Sequence, residues 1–566
     1  MTRMRRLDLV LADEPFHSSE LALIGFETPV LDATVEGGAG SDDLKGTSGD
    51  DILIGHGGRD ILFGDAGNDS FRYELLTDST AAAPDLILDL AAGDRIDLTA
   101  LQVTSYRIAQ INGNITLTAT TATGDLVVHS QNAIAVDNVL LGNSLTLTGT
   151  AGADQLLGAT KNDVFRLETG GVDSAVGGAG NDGFYIGGAL TGADRIDGGA
   201  GDLDQLALQG SYAALVLEAA TFTGVEQFGF LSGSDTRFGA PGTELYSYSV
   251  TMHDGNVAAG QQLTVQFNTL LPGENVTFDG SAELDGSFFT FGGRGIDVLI
   301  GSQGSDRFFF GADGRFGASD RVDGQGGNDD QLGLQGDYSG TNAVVMGANS
   351  MSGIEILGML SAGNSRFGSG SSDGFSYDVT MHDANVAAGA RLIVQANALR
   401  FDAVYDERLI FDGSAETDGS FTIFSGNGAD EIVGGAGADV IFARGGNDVI
   451  TGGLGADTLR GQLGSDTFVY TAPADSGAAA RDLIVQFEAG DRIDLSSIDA
   501  VAGGAGDAFT FIGEDAFSAA GQLRVVRDGT GWLVEGDVNG DGNADLVISL
   551  TTLDLSYTPS AVDFIL

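Results

Sequence analysis

The chain has 566 residues, of which 42% are apolar, so it is long enough for several domains with buried cores. Acidic residues outnumber basic residues by 80 to 26, and the formal net charge of −54 excludes nucleic acid as an expected partner. The absence of cysteine excludes disulfides, thiolate metal sites and cysteine nucleophiles.

The N-terminal lead segment, residues 1–36, starts with basic residues, but Asp8 and Asp13 interrupt the apolar stretch that follows. No small-residue cleavage site comes after it, so we do not expect a cleaved secretory signal peptide. We also expect no membrane span, because no run approaches the roughly 18 apolar residues that a membrane helix needs.

A nine-residue repeat begins at Gly37, where four units read GGAGSDDLK, GTSGDDILI, GHGGRDILF and GDAGNDSFR. Five more units begin at Ser425 and read SGNGADEIV, GGAGADVIF, ARGGNDVIT, GGLGADTLR and GQLGSDTFV. The unit is GGxGxDxUx, where U is a large apolar residue. Gly permits a tight turn that brings carbonyl oxygens inward, Asp adds a carboxylate oxygen, and the last three residues form a strand with U inside. Calcium prefers such oxygen ligands, so stacked turns of this kind favour calcium binding.

Each array ends with Phe at the U position, at Phe71 and Phe468, and we interpret this Phe as a larger plug where stacking stops. A similar segment then follows each array, DLILDLAAGDRIDLTAL from Asp85 and DLIVQFEAGDRIDLSSI from Asp482. Alternating apolar residues around a Gly-Asp turn predict a lid over the open end of the roll. The first array and its cap extend over residues 37–147.

In these repeats the chain resembles the RTX (hemolysin-type) calcium-binding repeat proteins. The resemblance implies an all-β fold of parallel β-rolls or β-solenoids that binds multiple Ca²⁺ ions. A Gly-rich linker with scattered acids is the alternative, but it does not explain an apolar residue two places after every Asp. The ligands implied in the arrays are Asp42, Asp51, Asp60, Asp69, Asp430, Asp439, Asp448, Asp457 and Asp466. Isolated repeat turns add Asp154, Asp163, Asp182, Asp297, Asp306 and Asp329, whereas Asp204 is one residue out of register and a weaker candidate.

The middle of the chain contains a longer duplication with a period of about 130 residues. TMHDGNVAAGQQLTVQFNTL from Thr251 matches TMHDANVAAGARLIVQANAL from Thr380, and FDGSAELDGSFFTF from Phe278 matches FDGSAETDGSFTIF from Phe411. Alternating apolar residues predict half-buried strands, and no stretch has a sustained helical stripe. We therefore expect a β-solenoid interrupted by bulging loops, with β-rich repeat units at 148–300 and 301–424.

Duplicated polar residues in this region are candidates for chemistry. His253 and His382, each in an MHD motif, suit either a metal ligand or an acid–base pair with Asp, but a strand-to-turn His with a satisfied hydrogen bond is the favoured interpretation. Four duplicated acids suit paired glycoside chemistry, although loop acids near calcium sites explain them more simply. These acids are Asp279, Asp285, Asp412 and Asp418.

A GxSxG pattern occurs around Ser372 and raises a secreted lipase or esterase as an alternative. It lies in a Ser/Gly loop without the strand before it and the helix after it that a nucleophile elbow requires. We therefore predict no catalytic residue and no bound organic cofactor.

Residues 425–566 resemble the C-terminal domain of the serralysin family in both content and order, including FTFIGEDAFSAAGQLRVV and GDVNGDGNADLVISL. Serralysins are zinc proteases, but the zinc motif HExxH is absent because none of the five histidines is followed by Glu. The resemblance therefore extends to the calcium-binding and export domain alone and excludes the protease domain.

Within this region an EF-hand-like loop is predicted. Asp537, Asn539, Asp541 and Asp545 stand at its positions one, three, five and nine, but position twelve is Ile548 where an EF-hand has Glu. A further calcium site and a plain Asx-rich turn are therefore both open.

The sequence ends with AVDFIL, an acid followed by three apolar residues. In proteins that resemble serralysins, such an ending belongs to the uncleaved signal that the type I secretion apparatus reads, although a last strand that happens to be apolar is the alternative. We expect a secreted, extracellular calcium-binding protein that folds on calcium after export. We expect it to be a non-catalytic surface, matrix or interaction protein, with cell-surface polysaccharide and self-association as candidate partnerships. An extracellular hydrolase or lyase acting on polysaccharide or lipid through residues 180–424 is the alternative.

Overall fold

A computed structural model describes residues 32–566, except 112, 240–241, 312–315, 368–373, 504–505 and 555. Two compact units make up the chain, Met1–Asn143 and Ser144–Leu566. The described residues form β-strands, turns and short 3₁₀ segments, and nearly all strand pairs are parallel. The expected all-β fold class with parallel rolls is therefore confirmed.

The described residues of the first unit form eleven strands in two sheets. One sheet has the order β1-β3-β5-β7-β11, and the other has the order β2-β4-β6-β10-β9-β8. The strands are β1 Thr34–Glu36, β2 Asp43–Lys45, β3 Ile52–Ile54, β4 Ile61–Phe63, β5 Ser70–Arg72, β6 Asp85–Ile87, β7 Arg95–Leu98, β8 Val103–Ile111, β9 Asn114–Thr121, β10 Gly124–Ser130 and β11 Val139–Leu141.

The second unit is a longer solenoid built in the same way. One sheet of nineteen strands has the order β12-β14-β16-β18-β21-β23-β25-β27-β29-β32-β34-β36-β38-β40-β42-β44-β45-β46-β47, and three shorter sheets take the intervening strands. Its strands are β12 Thr146–Thr148, β13 Gln155–Ala159, β14 Val164–Arg166, β15 Ser174–Gly178, β16 Gly183–Gly187, β17 Arg195–Asp197, β18 Gln205–Leu208, β19 Tyr212–Val216, β20 Phe222–Thr223, β21 Gln227–Phe230, β22 Tyr248–Thr251, β23 Gln262–Gln266, β24 Val276–Asp279, β25 Ser287–Phe291, β26 Asp297–Ile300, β27 Arg307–Phe310, β28 Arg321–Asp323, β29 Gln331–Leu334, β30 Val344–Val345, β31 Met351–Ser352, β32 Ile356–Met359, β33 Tyr377–Thr380, β34 Arg391–Gln395, β35 Leu409–Asp412, β36 Ser420–Phe424, β37 Glu431–Val433, β38 Val440–Phe442, β39 Val449–Thr451, β40 Thr458–Arg460, β41 Thr467–Val469, β42 Leu483–Phe487, β43 Arg492–Asp494, β44 Thr510–Phe511, β45 Gln522–Asp528, β46 Gly531–Asp537, β47 Leu546–Thr552 and β48 Phe564–Ile565.

Short 3₁₀ segments join some of these strands. Those in the described part of the chain are Val136–Asn138, Asp254–Asn256, Gly340–Asn342, Asp383–Asn385, Pro473–Ser476 and Ala561–Asp563. None of the helical segments in the described ranges has the length and apolar character that crossing a bilayer requires.

The nine-residue repeat explains the register of the arrays. Each unit ends in a three-residue strand, and successive units send their strands to different sheets, so strands pair with those 18 residues away. Ile432 therefore lies beside Ile450, and Ile441 lies beside Leu459. The U side chains stack between the sheets and are fully buried at all four of these positions. This burial of apolar surface is the main favourable term for folding.

The interpretation of Phe71 and Phe468 as plugs is wrong, because stacking continues past both. Phe71 pairs onward with Ile96, and Phe468 pairs onward with Ile493. The segments predicted as lids are themselves further turns of the roll, since β6 and β7 extend the two sheets of the first array and β42 and β43 extend those of the second. The rings of Phe71 and Phe468 are therefore buried inside the continuing stack and do not close its end.

Antiparallel strands follow these added turns in both units. β8, β9 and β10 form a meander whose last strand pairs with β6, and β45, β46 and β47 form one whose last strand pairs with β42. In each case a buried serine fixes the junction: Ser79 donates to the Val127 carbonyl, and Ser476 donates to the Val547 carbonyl at 2.6 Å. The array, its extension and the meander are thus one topology used twice.

The long sheet of the second unit continues across residues 300 and 424, because β25 pairs with β27 and β36 pairs with β38. The domain boundaries that the sequence predicts at residues 36, 147, 300 and 424 stay predictions. Polar turns on the edges of the stack carry the candidate site residues described next.

Candidate metal centres

The Asp of each repeat stands directly before its strand and turns its side chain into the stack. Its Oδ1 atom accepts a hydrogen bond from the backbone N–H of the equivalent residue two repeats earlier. Asp60 accepts in this way from Asp42 at 2.8 Å, and Asp448 accepts from Asp430 at 2.9 Å. Asp466 continues the second row by accepting from Asp448 at 3.0 Å. We call these rows of stacked acids the carboxylate ladders.

The second carboxylate oxygen has two kinds of environment. At some positions it accepts the N–H of the residue four places earlier, as in the 2.7 Å bond from Gly435 to Asp439. At others it is buried and has no hydrogen-bond partner, and such an atom is costly unless a ligand satisfies it. Buried, unpartnered Oδ2 atoms occur at Asp60, Asp182, Asp204, Asp448, Asp457 and Asp466.

Backbone carbonyls converge on the same places as these oxygens. A methyl group added at Gly37 would lie 2.8 Å from the Asp42 Oδ2 atom and 2.8 Å from the Gly55 carbonyl oxygen. The same two kinds of oxygen flank the equivalent Gly46 and Gly434. The first glycine of a repeat therefore leaves a small space between hard oxygen donors. Such spaces match the ligand preference of Ca²⁺, and the donor set contains neither sulfur nor imidazole.

The carboxylates of the ladders are poorly accommodated as free anions. Burial, with a smaller contribution from neighbouring carboxylates, raises the pKa of Asp448 and Asp457 to about 8 against the lowering effect of one backbone hydrogen bond. The same causes raise the pKa of Asp182 and Asp330 to about 7. A cation between the turns removes both penalties.

Most of the predicted ligands lie at ladder positions, where they are buried or half-buried. Twelve are buried, namely Asp51, Asp60, Asp69, Asp163, Asp182, Asp297, Asp306, Asp430, Asp439, Asp448, Asp457 and Asp466. Asp42 and Asp154 are half-buried. Their occupancy by calcium stays a prediction, whereas their placement within stacked turns is a property of the fold.

The position of Asp329 differs from the prediction. Asp329 is exposed, and its neighbour Asp330 is buried and accepts from the Asp306 N–H at 2.6 Å. The turn GQGGNDDQL has one residue more than a standard unit before its apolar Leu332, so counting from glycine selects the wrong acid. Asp204 lies in a turn of the same length and is a full ladder member, accepting from Asp182 at 2.6 Å.

Further ladder members lie in turns that lack the glycine pattern. Asp85 accepts from the Asp60 N–H at 2.9 Å, and Glu226 accepts from the Asp204 N–H at 2.7 Å. In these pairs the accepting acid lies 25 or 22 residues after the donor, whereas the spacing within the arrays is 18 residues. Their shared signal is an acid two places before a buried apolar residue. The full set missed by the glycine pattern is Asp85, Asp94, Asp173, Asp194, Glu226, Asp320, Asp330, Glu355, Asp482 and Asp491.

The EF-hand-like loop joins antiparallel strands β46 and β47 rather than two helices. Asp537 is buried and accepts the N–H groups of Gly540 and Gly542 at 2.6 and 3.0 Å. Asp545 accepts from the Asn539 side chain at 2.9 Å, and Asp541 accepts from the backbone of Asn543. The loop is thus an Asx-rich hairpin turn, and calcium binding by Asp537, Asn539, Asp541 and Asp545 stays a prediction.

His253 and His382 lie where β22 and β33 end and a 3₁₀ segment begins. Each Nδ1 atom accepts a backbone N–H at 3.1 Å, from Gly255 and from Ala384 respectively. The interpretation of a strand-to-turn His with a satisfied hydrogen bond is confirmed. Ser372 lies outside the described residues, as do residues 1–31 of the lead segment.

Comparison with known protein families identifies the repeats. The family model of the RTX calcium-binding nonapeptide repeat (four copies) matches residues 36–71, 189–202, 291–314, 424–459 and 433–468. Three of these matches are the two arrays, and the other two lie in the middle of the solenoid. The chain therefore carries RTX calcium-binding repeats, as the sequence predicted. No curated protein matches the chain.

Proposed function

We propose that this protein is exported by a type I secretion apparatus, folds when it meets extracellular calcium, and then acts as a non-catalytic surface, matrix or interaction protein. One observation carries the proposal. Rows of buried carboxylates with unpartnered oxygens run through both units, so the folded state needs a cation along most of its length.

Calcium supply differs on the two sides of the cell envelope. In a calcium-poor cytosol the ladders repel, and the formal charge of −54 adds to the cost of compaction. Extracellular calcium modules bind with dissociation constants of about 10⁻⁴ to 10⁻³ M. Folding and binding then become one event outside the cell.

The C-terminal residues support the order of export before folding. Phe564 and Ile565 form β48, which pairs with β43, and Asp563 is buried and accepts from the Tyr557 hydroxyl at 2.6 Å. A secretion signal in this segment is partly covered once the roll has formed, because Asp563 and Phe564 are buried while Val562 stays exposed. This partial burial favours an apparatus that reads the signal on an unfolded chain.

Circular dichroism with calcium titrated from zero to about 10 mM tests the central claim, together with the number of ions bound at saturation. We expect a cooperative change from coil to β-structure with many ions bound, and no change with magnesium at the same concentrations. At about pH 8, an apo protein that is already fully β-structured and binds few ions contradicts the proposal.

A separate measurement addresses the non-catalytic role. Calcium-loaded protein is incubated with extracellular polysaccharides and with lipid esters, and both retention on the substrate and release of soluble products are measured. Retention without product supports an interaction protein. The hydrolase or lyase is established instead if the wild type releases product and a correctly folded variant with a substitution within residues 180–424 does not.

A further inference from the structure

The duplicated middle of the solenoid contains two matching groups of three acids outside the nonapeptide pattern. The first group is Asp254, Glu283 and Asp285, and one carboxylate oxygen of each lies within 4.8 Å of those of the others. The second group, Asp383, Glu416 and Asp418, has the same geometry. We call them the tricarboxylate clusters. The favoured sequence interpretation of Asp285 and Asp418, as loop acids near calcium sites rather than a glycoside pair, did not include their four partners.

The central Glu of each cluster is buried without full hydrogen bonding. Glu283 and Glu416 are both 0% exposed, and the Oε2 atom of each has no hydrogen-bond partner. Only the Oε1 atoms are satisfied: Gly286 donates to Glu283 at 2.8 Å, and Gly419 donates to Glu416 at 2.7 Å. A buried carboxylate that has one unpartnered oxygen and belongs to a cluster with two further acids is unfavourable unless a cation lies among them.

The clusters are held in place from two turns. Asp254 begins the 3₁₀ segment after β22, and its Oδ1 atom accepts the Leu284 N–H at 2.9 Å, which ties it to the turn that bears Glu283. Thr417 binds Asp383 in the second copy through both its N–H at 2.9 Å and its hydroxyl at 2.6 Å. These bonds leave the other oxygen of each Asp for a ligand.

Each cluster also lies beside a carboxylate ladder. The negative charge of Glu283 contributes to the raised pKa of Asp306, after the larger effect of burial. Glu416 acts in the same way on Asp439. A divalent cation in each cluster would relieve this repulsion as well as that within the cluster.

We infer that each tricarboxylate cluster is a separate calcium site, which adds two ions per chain to those of the nonapeptide turns. The ligands are carboxylate oxygens with one buried Glu at the centre, a donor set that suits a hard divalent cation. The inference goes beyond the proposed function, because it concerns sites that the repeat pattern does not include.

The test measures bound calcium on the full-length protein at saturation by equilibrium dialysis against radioactive calcium. The variant combines Glu283→Gln with Glu416→Gln, which keeps side-chain shape and removes the charge. The matched control combines Asp279→Asn with Asp412→Asn, because these duplicated acids lie in Asx turns outside the clusters. We expect the Gln variant to lose two ions per chain and to unfold at a lower temperature, while the control retains all its ions.

An unchanged ion count, together with an equal or higher melting temperature, overturns the inference, since a neutral amide is better accommodated than a bare buried anion without metal. If the Gln variant does not fold by circular dichroism, Asp254→Asn with Asp383→Asn decides the question, because these acids are partly exposed. Loss of two ions in that folded variant supports the sites, and full occupancy refutes them. Calcium-triggered folding by the arrays is measured independently and survives either result.

Discussion

Removing calcium should make the stability of the second array depend steeply on pH. Asp448 and Asp457 lie at its centre, and each has a pKa of about 8 in the folded chain, against an ordinary value of 3.8. The folded state thus binds more protons than the unfolded state between about pH 4 and pH 8. Stability without calcium is therefore present at low pH and is lost as the pH rises through this window.

The size of the effect follows from the two pKa values. One pKa unit corresponds to about 1.4 kcal/mol, so ionising one such carboxylate in the folded apo protein costs roughly 6 kcal/mol. The total stability of a domain is about 5 to 15 kcal/mol. Ionisation of two or three ladder carboxylates is therefore enough to unfold the apo array.

Circular dichroism in a calcium chelator from about pH 5 to pH 8.5 measures this dependence. We expect β-structure at the acid end and its loss toward pH 8, whereas saturating calcium keeps the protein folded throughout. The variant Asp448→Asn with Asp457→Asn should retain apo β-structure to higher pH. The control Glu514→Gln with Asp515→Asn changes net charge equally at exposed positions and should follow the wild type. An apo spectrum that is unchanged across this range refutes the electrostatic reasoning.

Three further outcomes are expected. Ile441→Ala should lower the free energy of unfolding by about 2 to 5 kcal/mol in a urea titration, because the side chain is fully buried. Asp330→Asn should raise the calcium concentration needed for folding, while Asp329→Asn should leave it unchanged, and equal effects would contradict the ladder assignment. Gly455→Ala should cost about 1 to 3 kcal/mol, because its φ of +127° and the adjacent Gly437 carbonyl disfavour a side chain. Gly477→Ala has open space and should change stability by less than about 0.5 kcal/mol.

The short period of the arrays made their fold predictable from sequence. A strand at every ninth residue fixes the 18-residue pairing, and an apolar residue two places after each Asp fixes which side chains point inward. Ile432 and Ile450, for example, pair and are buried as that pattern requires. These relations are local, so one sequence is enough to recognise them.

The rest depended on contacts between distant residues. The lids were misinterpreted because their glycine pattern is lost while Asp85 and Asp482 still occupy ladder positions, at a spacing of 25 residues. The tricarboxylate clusters were missed because Asp254 and Glu283 are 29 residues apart and come from different turns. Only the stacking of those turns brings their oxygens together.

The ladders tolerate turns of unequal length. The length of a surface turn and the register of the core strands are therefore independent in this chain, whereas most folds keep them coupled. Successive acids are 18 residues apart in the arrays, 19 between Asp163 and Asp182, and 24 between Asp306 and Asp330, yet the hydrogen bond between neighbours is preserved. Segments on the rim can therefore lengthen or shorten without shifting the register of the core. The core strands of the solenoid keep their arrangement, so surface loops of different sequence can replace one another.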